Sequence, residues 1–344
     1  MANSLIDRIK SASKIKDTEV YSESKVLDLE VITTDVPAMN IAFSGDIDGG
    51  YTAGITTWAS PSKHFKTLFS LMQAKAYLDK HPDAIMMFFD SEFGSPQSYF
   101  TAQGIDTKRV VHIPIKNIEE LKFEMMAQLE HLTRKDKVVM VVDSIGNLAS
   151  IKEVQDAMDS KSTADMTRAK QLKSLFRIIT PYLNSLEIPC IIINHTYKTM
   201  DLFPTTVVGG GGGNIFASNN IFVISKRQDK NSQKELEGFE FVIKIEKSRG
   251  AVENSTIPIR VSFDNGVDKY SGLLEIALEG GFVSKTKIGN ANAFSLVDVE
   301  TGEVNERKWK ERETSCGEFF DPILNNPEFK KFVRRKYKLV KDVA

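Results

Sequence analysis

The sequence predicts an α/β fold with a mostly parallel central sheet, an N-terminal helical arm and a small C-terminal subdomain. Three observations carry this expectation. Four short apolar runs, Ile55 to Ala59, Ala84 to Phe89, Val138 to Val142 and Cys190 to Ile193, are continuous rather than alternating, the pattern of strands buried on both faces. Helical patterns lie between them. After Ser218 the texture changes to strands in series, Ile221 to Ser225, Phe239 to Lys247 and Ile257 to Phe263, an antiparallel extension with a polar hairpin-like loop at Gln228 to Gly238.

The elements follow in order. Residues 1–30 read as a helical arm with a small apolar stripe, Leu5, Ile6 and Ile9, and a polar linker. The arm is too thin for a domain, and packing on the main body or on a neighbouring molecule both fit it. A helix is expected over Leu68 to Leu78, starting after Thr67 and stopping at His81-Pro82. A second covers Ile118 to Leu132. A third, Ala164 to Leu186, sets Met166, Ala169, Leu172, Leu175, Phe176 and Ile179 on one side. From Tyr270 onward, Leu273 to Leu278 and Phe329 to Leu339 read as helices. The expected division is an arm at 1–30, a core at 31–268 and a C-terminal subdomain at 269–344.

Composition excludes several classes. Apolar residues make up 41% and charged residues 26% of the 344, ordinary for a globular chain that can bury its own core. Two cysteines, Cys190 and Cys316, exclude a disulfide framework and an all-cysteine zinc site, and fit a reducing cytoplasm. No apolar run approaches the ~20 residues of a membrane helix, and no secretory signal is visible at the N-terminus. A net charge of -1 leaves room for a basic patch only, not for a uniformly basic nucleic-acid binder.

Ligands of open parallel sheets bind at the carboxyl ends of the strands. After the first apolar run comes Ser60-Pro61-Ser62-Lys63-His64-Phe65-Lys66-Thr67. Lys66-Thr67 matches the end of the phosphate-loop pattern G-x-x-x-x-G-K-[ST], but Ser60 and Phe65 stand where glycines are expected. A polar turn carrying a lysine fits the segment as well. The helix N-terminus behind it would offer free amides and a positive dipole end to an anion. Asp90 and Glu92 follow the second run, Asp143 and Ser144 the third, Asn194 and His195 the fourth. Asp143 suits a magnesium-side carboxylate or a helix cap, and Glu92 a base for an attacking water or a surface acid.

The order Lys66-Thr67, Asp90-Ser91-Glu92, Val141-Val142-Asp143-Ser144 and Asn194-His195, before a glycine-rich stretch, resembles the RecA recombinase core. The stretches Val36 to Gly45, Ala164 to Lys170, Ile188 to Cys190 and Glu246 to Arg249 extend the resemblance over nearly the whole chain. They are similar to the UvsX recombinases of T-even-type phages, where Phe65 is expected and Ser60 remains a departure. The resemblance implies a RecA-type P-loop ATPase core with a small C-terminal α/β subdomain, ATP and Mg2+ as ligands, and DNA-dependent ATP hydrolysis. It implies that Ser60 through Thr67 cradle the phosphates, with Lys66 on the β/γ groups. Thr67 and Asp143 would hold magnesium, Glu92 would position water, Tyr99 would stack on adenine, and His195 would sense the γ-phosphate. Lys247 and Arg249 would reach a neighbour's ATP in trans. Without the resemblance, Tyr99 also reads as a helix-face aromatic in the core, and Lys247 and Arg249 read as a solvated strand end.

Two loops would touch DNA. The first, Ile151 to Thr167, has Lys152, Lys161 and Arg168 at its edges and carries Met158 and Met166. The second, Tyr197 to Asn214, carries Lys198, Phe203 and the run Gly209, Gly210, Gly211, Gly212 and Gly213, expected to be a mobile loop. Glu328 to Asp342 holds seven Lys/Arg against two acids, an amphipathic basic helix able to meet duplex phosphates or simply a solvated face. The implied partners are single-stranded DNA, double-stranded DNA, further copies of the chain in a helical filament, and mediator and single-strand-binding proteins, in the cytoplasm of a host cell. Two alternatives stay open at this level, a ring-forming RecA-core helicase and a DNA-binding accessory protein with an inactive nucleotide site.

Overall fold

The computed structural model describes residues 2–15, 17–24, 28–159, 166–200, 203–231 and 233–340. The chain opens with α1 (Ala2–Ala12) and a linker, then α2 (Pro37–Ser44). The alternation follows as β1 (Gly54–Ser60), α3 (Lys66–Lys80), β2 (Ile85–Asp90), α4 (Gln97–Ala102), β3 (Val110–Pro114), α5 (Ile118–His131), β4 (Val138–Asp143), α6 (Ile151–Met158), α7 (Thr167–Ser185) and β5 (Pro189–Lys198). Next come β6 (Thr206–Val208), α8 (Gly212–Ala217), β7 (Asn220–Lys230), β8 (Leu236–Lys247), β9 (Thr256–Ser262) and β10 (Gly266–Val267). The C-terminal part holds α9 (Leu273–Glu279), β11 (Val283–Ile288), β12 (Ala291–Leu296), β13 (Trp309–Lys310), α10 (Gly317–Leu324) and α11 (Pro327–Tyr337).

Among the described residues, one sheet of ten strands runs β10-β9-β8-β7-β1-β5-β4-β2-β3, with β6 paired to β5. The strands from β7 through β1 to β3 pair in parallel, and β8, β9 and β10 extend the sheet antiparallel. The continuous apolar runs are therefore explained: β1 and β4 are buried at every residue because helices cover both faces. Register levels the strand ends, with Ser60 opposite His195 and Asp90 opposite Asp143.

Several elements lie outside the sequence expectation. β3 is a short edge strand whose residues are exposed or half-buried and include His112 and Pro114, so it lacks an apolar run. Helix α6 occupies the first half of the expected DNA loop, and its Ser150–Glu153 capping box is an S-x-x-E signal readable in the sequence. The C-terminal subdomain contains a three-stranded antiparallel sheet, β11-β12-β13, as well as helices. Its strands are half exposed and alternate too loosely to stand out. No helix among the described residues is long and apolar enough to cross a membrane.

One apolar cluster runs from α2, β1 and β7–β9 into Leu273, Phe319, Phe329 and Val333, so the subdomain shares its core with the sheet. A backbone seam adds to this. Val252 N–H donates to Tyr337 O at 2.7 Å and Leu339 N–H to Gly250 O at 2.9 Å. The basic face of α11 is engaged within the fold: Lys330 pairs with Asp48 at 2.9 Å, Arg334 with Asp46 at 2.7 Å, and Lys336 with Glu279. Those three cations differ from the expected solvated stripe for that reason. Gly45 ends α2 at φ 71°, and a Cβ there would lie 2.4 Å from Tyr337 O and Lys338 Cα. Gly45→Ala combines left-handed strain with a clash against backbone, and is expected to destabilise the chain by about 2–4 kcal/mol; denaturant unfolding measures it, and a loss below about 0.5 kcal/mol would contradict the seam.

Candidate active site

β1 ends at Ser60, which is fully buried, and the chain turns through residues 61–65 into α3. Phe65 is the N-cap of α3 and supplies no side-chain cap, so the first-turn amides have no side-chain partner from it. Lys66 is buried, and its Nζ donates to Ser60 O at 3.2 Å and Pro61 O at 3.0 Å. Burial pulls its ammonium below the ordinary lysine pKa, while Glu92 and Asp143 pull the other way. The ammonium thus folds back over its own loop with no carboxylate in direct contact among the described residues, a disposition that suits an incoming anion.

Thr67 Oγ1 donates to Asp143 Oδ2 at 2.8 Å, joining the first turn of α3 to the end of β4. Burial pushes the Asp143 carboxyl up to about 6, against the Thr67 hydrogen bond, with Glu92 and Asp90 adding to the rise. A buried carboxylate with a hydroxyl beside it and, among the described residues, no ion-paired cation fits a magnesium site completed by phosphate oxygens. Such sites need only one or two protein carboxylates, and no cluster of three His, Cys, Asp or Glu ligands occurs among the described residues.

Asp90 is buried and accepts from the backbone N–H groups of Glu92 and Phe93 at 3.0 and 2.8 Å, and His112 Nε2 lies 3.1 Å away. It shapes the turn that turns Glu92 outward. Glu92 Oε1 accepts from Ser144 Oγ at 2.7 Å and Asn147 Nδ2 at 2.9 Å, and His195 Nε2 stands 3.4 Å from it. His195 and then Ser144 hold the Glu92 carboxyl below the usual carboxylate range, against burial. His195 Nε2 is buried without an aligned hydrogen bond in this arrangement, so the contact is one of proximity.

Lys66, Thr67, Glu92, Asp143 and His195 line a cleft of about 680 Å³ that also takes in Ser62, Lys63, His64, Phe65, Tyr99, Gln103, Lys226 and Phe239. Pro61 lies beside it through its Lys66 contact. Tyr99 is 53% exposed on α4, not a core aromatic. Asn147, Gln103, Lys226 and Phe239 escaped the sequence reading. None belongs to a motif; Lys226 lies on β7 and Phe239 on antiparallel β8, and both reach the cleft only through sheet order.

Lys247 and Arg249 do not line this cleft. Antiparallel β8 carries them toward the amino-terminal ends of the parallel strands, with Lys247 opposite Ile221. Ser248 between them is buried, and its Oγ lies 2.9 Å from Asn220 Oδ1. Lys247 Nζ donates to Ile215 O at 2.7 Å.

The expected DNA loops are only partly loops. Lys161 lies outside the described residues. Lys152 pairs with Asp156 on α6. Arg168 donates to Leu148 O, Ile145 O and Gly146 O at 2.8, 3.0 and 2.9 Å, so two of its nitrogens tie backbone together rather than face solvent. β5 and β6 form a hairpin over Tyr197 and Lys198. The glycine run is not a loop tip: Gly209 N–H donates to His195 O at 2.8 Å, and Gly212 and Gly213 open α8. A Cβ on Gly213 would lie 2.9 Å from Lys173 Cα, so α8 packs on α7 at backbone distance. Met158, Met166, Met200 and Phe203, the last 81% exposed, are among the apolar side chains presented to solvent here.

A parallel sheet with a lysine-threonine loop, a strand-end aspartate and a glutamate-histidine pair on one rim defines a RecA-type nucleotide-binding core. The chain matches the RecA N-terminal domain over residues 6–268, and the C-terminal domain of the bacteriophage T4 recombination and repair protein over residues 270–333. It is 44% identical to the recombination and repair protein of Enterobacteria phage T4 over 97% of this chain and 86% of that protein. It is 26% identical to Protein RecA of Cytophaga hutchinsonii over 77% of this chain and 73% of that one, and 23% identical to Protein RecA of Chlorobaculum tepidum over 85% and 82%. The chain belongs to the RecA family of recombinases, and is UvsX-like.

His195→Ala removes the leading influence on Glu92. The Glu92 carboxyl should then titrate at higher pH, as followed by its side-chain 13C resonance; an unmoved titration would assign its acidity to Ser144 instead.

Proposed function

We propose that the chain is a DNA-dependent ATPase that assembles with ATP into a helical filament on single-stranded DNA and pairs it with homologous duplex. The observation that carries this is the convergence of Lys66, Thr67–Asp143 and Glu92–His195 on one rim in a chain of this family. Residues 60–67 would hold the phosphates, with Lys66 supplying a point charge and the α3 amides a dipole end. Thr67 and Asp143 would hold Mg2+, which when bound neutralises charge on the β and γ oxygens. Glu92, kept ionised by its neighbours, would orient and deprotonate the attacking water. Tyr99, on the open side of the cleft, would stack on the adenine.

His195 connects hydrolysis to DNA. Its ring faces Glu92 and its carbonyl accepts from Gly209. A change at the γ-phosphate would therefore pass into the β5–β6 hairpin, where Lys198 would meet phosphate and Phe203 would separate bases. Met166, Met158 and Lys152 would form the facing surface, with Arg168 holding its base in place. The site for Lys247 and Arg249 lies away from their own cleft, which supports a role across a subunit interface. Such head-to-tail contacts give an open helix where the rotation from one subunit to the next does not close, and the filament reading takes that case. Duplex DNA, mediator and single-strand-binding proteins would meet this filament in a host-cell cytoplasm.

Lys66→Ala should abolish hydrolysis and weaken nucleotide binding, and Glu92→Gln should keep binding while slowing turnover ~10²-fold or more. An ATPase assay with and without single-stranded DNA reads both; near-normal turnover in either variant removes that residue from the mechanism. Replacing Lys247 and Arg249 by Ala should spare binding to the isolated subunit and remove DNA-stimulated hydrolysis. Mixed with Lys66→Ala subunits, it should recover part of the activity, because some interfaces then carry neither defect. No recovery in demonstrated mixed filaments would exclude a shared site.

A further inference from the structure

The loop that would hold the phosphates has no glycine between Ser60 and Thr67, yet it follows a path that glycine favours. Lys63 sits at φ 62° and Phe65 at φ 56°. Residues with a Cβ populate that left-handed region sparsely, so two of them within three positions need outside support. That support comes from the β7–β8 hairpin. Lys226 Nζ donates to Lys63 O at 2.9 Å. The Phe65 ring packs on Phe241 at 5.0 Å between centroids and meets Phe239 nearly edge-on at 6.2 Å. Phe239 in turn lies under the Lys226 ammonium, 4.6 Å from it. Phe241 is fully buried and also meets Phe69 of α3 at 5.6 Å, so the contact is continuous with the helix that the loop enters.

The direction of the Lys63 bond matters. In a trans peptide the C=O and N–H point opposite ways. Drawing the Lys63 carbonyl toward Lys226 therefore turns the N–H of His64 away from β7, and keeps a repelling carbonyl from an incoming anion. We infer that Lys226, with Phe239 and Phe241, is a positioning residue that holds this glycine-free loop in its phosphate-binding conformation. The inference rests on the nucleotide-site reading above. Its distinct content is that Lys226 acts through the Lys63 peptide and not by touching phosphate.

The test is equilibrium binding of a fluorescent ATP analogue with magnesium to the full-length, DNA-free chain. Lys226→Met should weaken binding about tenfold. Lys226→Arg, which keeps a donor, should stay within about threefold of the unmodified chain. Lys63→Gly makes the left-handed conformation accessible without a clamp. In that background Lys226→Met should cost less than about threefold relative to Lys63→Gly alone. In steady state the Lys226→Met defect should appear in KM, with kcat retained at saturating ATP. An equal loss in both backgrounds, or no loss in either, overturns the clamp. If the unmodified chain binds no analogue, or Lys66→Ala binds it as well as the unmodified chain does, the nucleotide site itself fails and the clamp with it.

Discussion

Everything at the rim depends on the parallel register of β1, β5, β4 and β2. A parallel pair brings like ends together, so β1, β2 and β4, which stop at Ser60, Asp90 and Asp143, and β5, which passes through His195 level with Ser60, present their residues to one line. Side chains separated by more than a hundred residues thereby meet without any loop having to reach. The Thr67–Asp143 hydrogen bond closes that line at one end, and the Glu92–Ser144 bond at the other. The buried interior of β1 and β4 is what keeps this spacing fixed, because a slip of one residue would turn each strand's side chains to the opposite layer.

Electrostatics divides the labour among three acids with similar sequence settings. Asp90 is saturated by backbone amides and shapes a turn. Asp143 is buried and pushed up to about 6, which leaves it ready for a cation. Glu92 is held low by His195 and Ser144 and faces the cleft. In the sequence Asp143 already suits a magnesium-side carboxylate and Glu92 a base for water, whereas the burial of the one, the His195 and Ser144 contacts of the other and the turn built on Asp90 are visible only in the fold.

The sequence made legible what depends on continuous burial. The four apolar runs became β1, β2, β4 and β5, and the lysine-threonine pair fell between strand and helix as expected. What stayed illegible depends on contacts between distant strands or on half-exposed patterns. β3 and β11–β13 carry no apolar run, and Lys226 and Phe239 reach the cleft only because β7 lies beside β1 and β8 beside β7. The glycine run shows a third case. Its composition reads as a flexible loop, but Gly213 is small because α7 lies against it, and packing rather than freedom sets its identity. Without coordinates, those two causes of a glycine look alike.

The seam between α11 and residues 250–252 bears on where this chain can be cut or extended. Tyr337 and Leu339 bond directly to the segment that follows Lys247 and Arg249. The last helix is thus a splint for a loop placed far earlier in the chain. A C-terminal truncation beginning between Pro327 and Tyr337 would remove both backbone bonds and uncover Gly45. Shortened forms intended to isolate the sheet core would then carry a loosened segment at residues 248–252, and their assembly behaviour would report on the splint as much as on the missing surface.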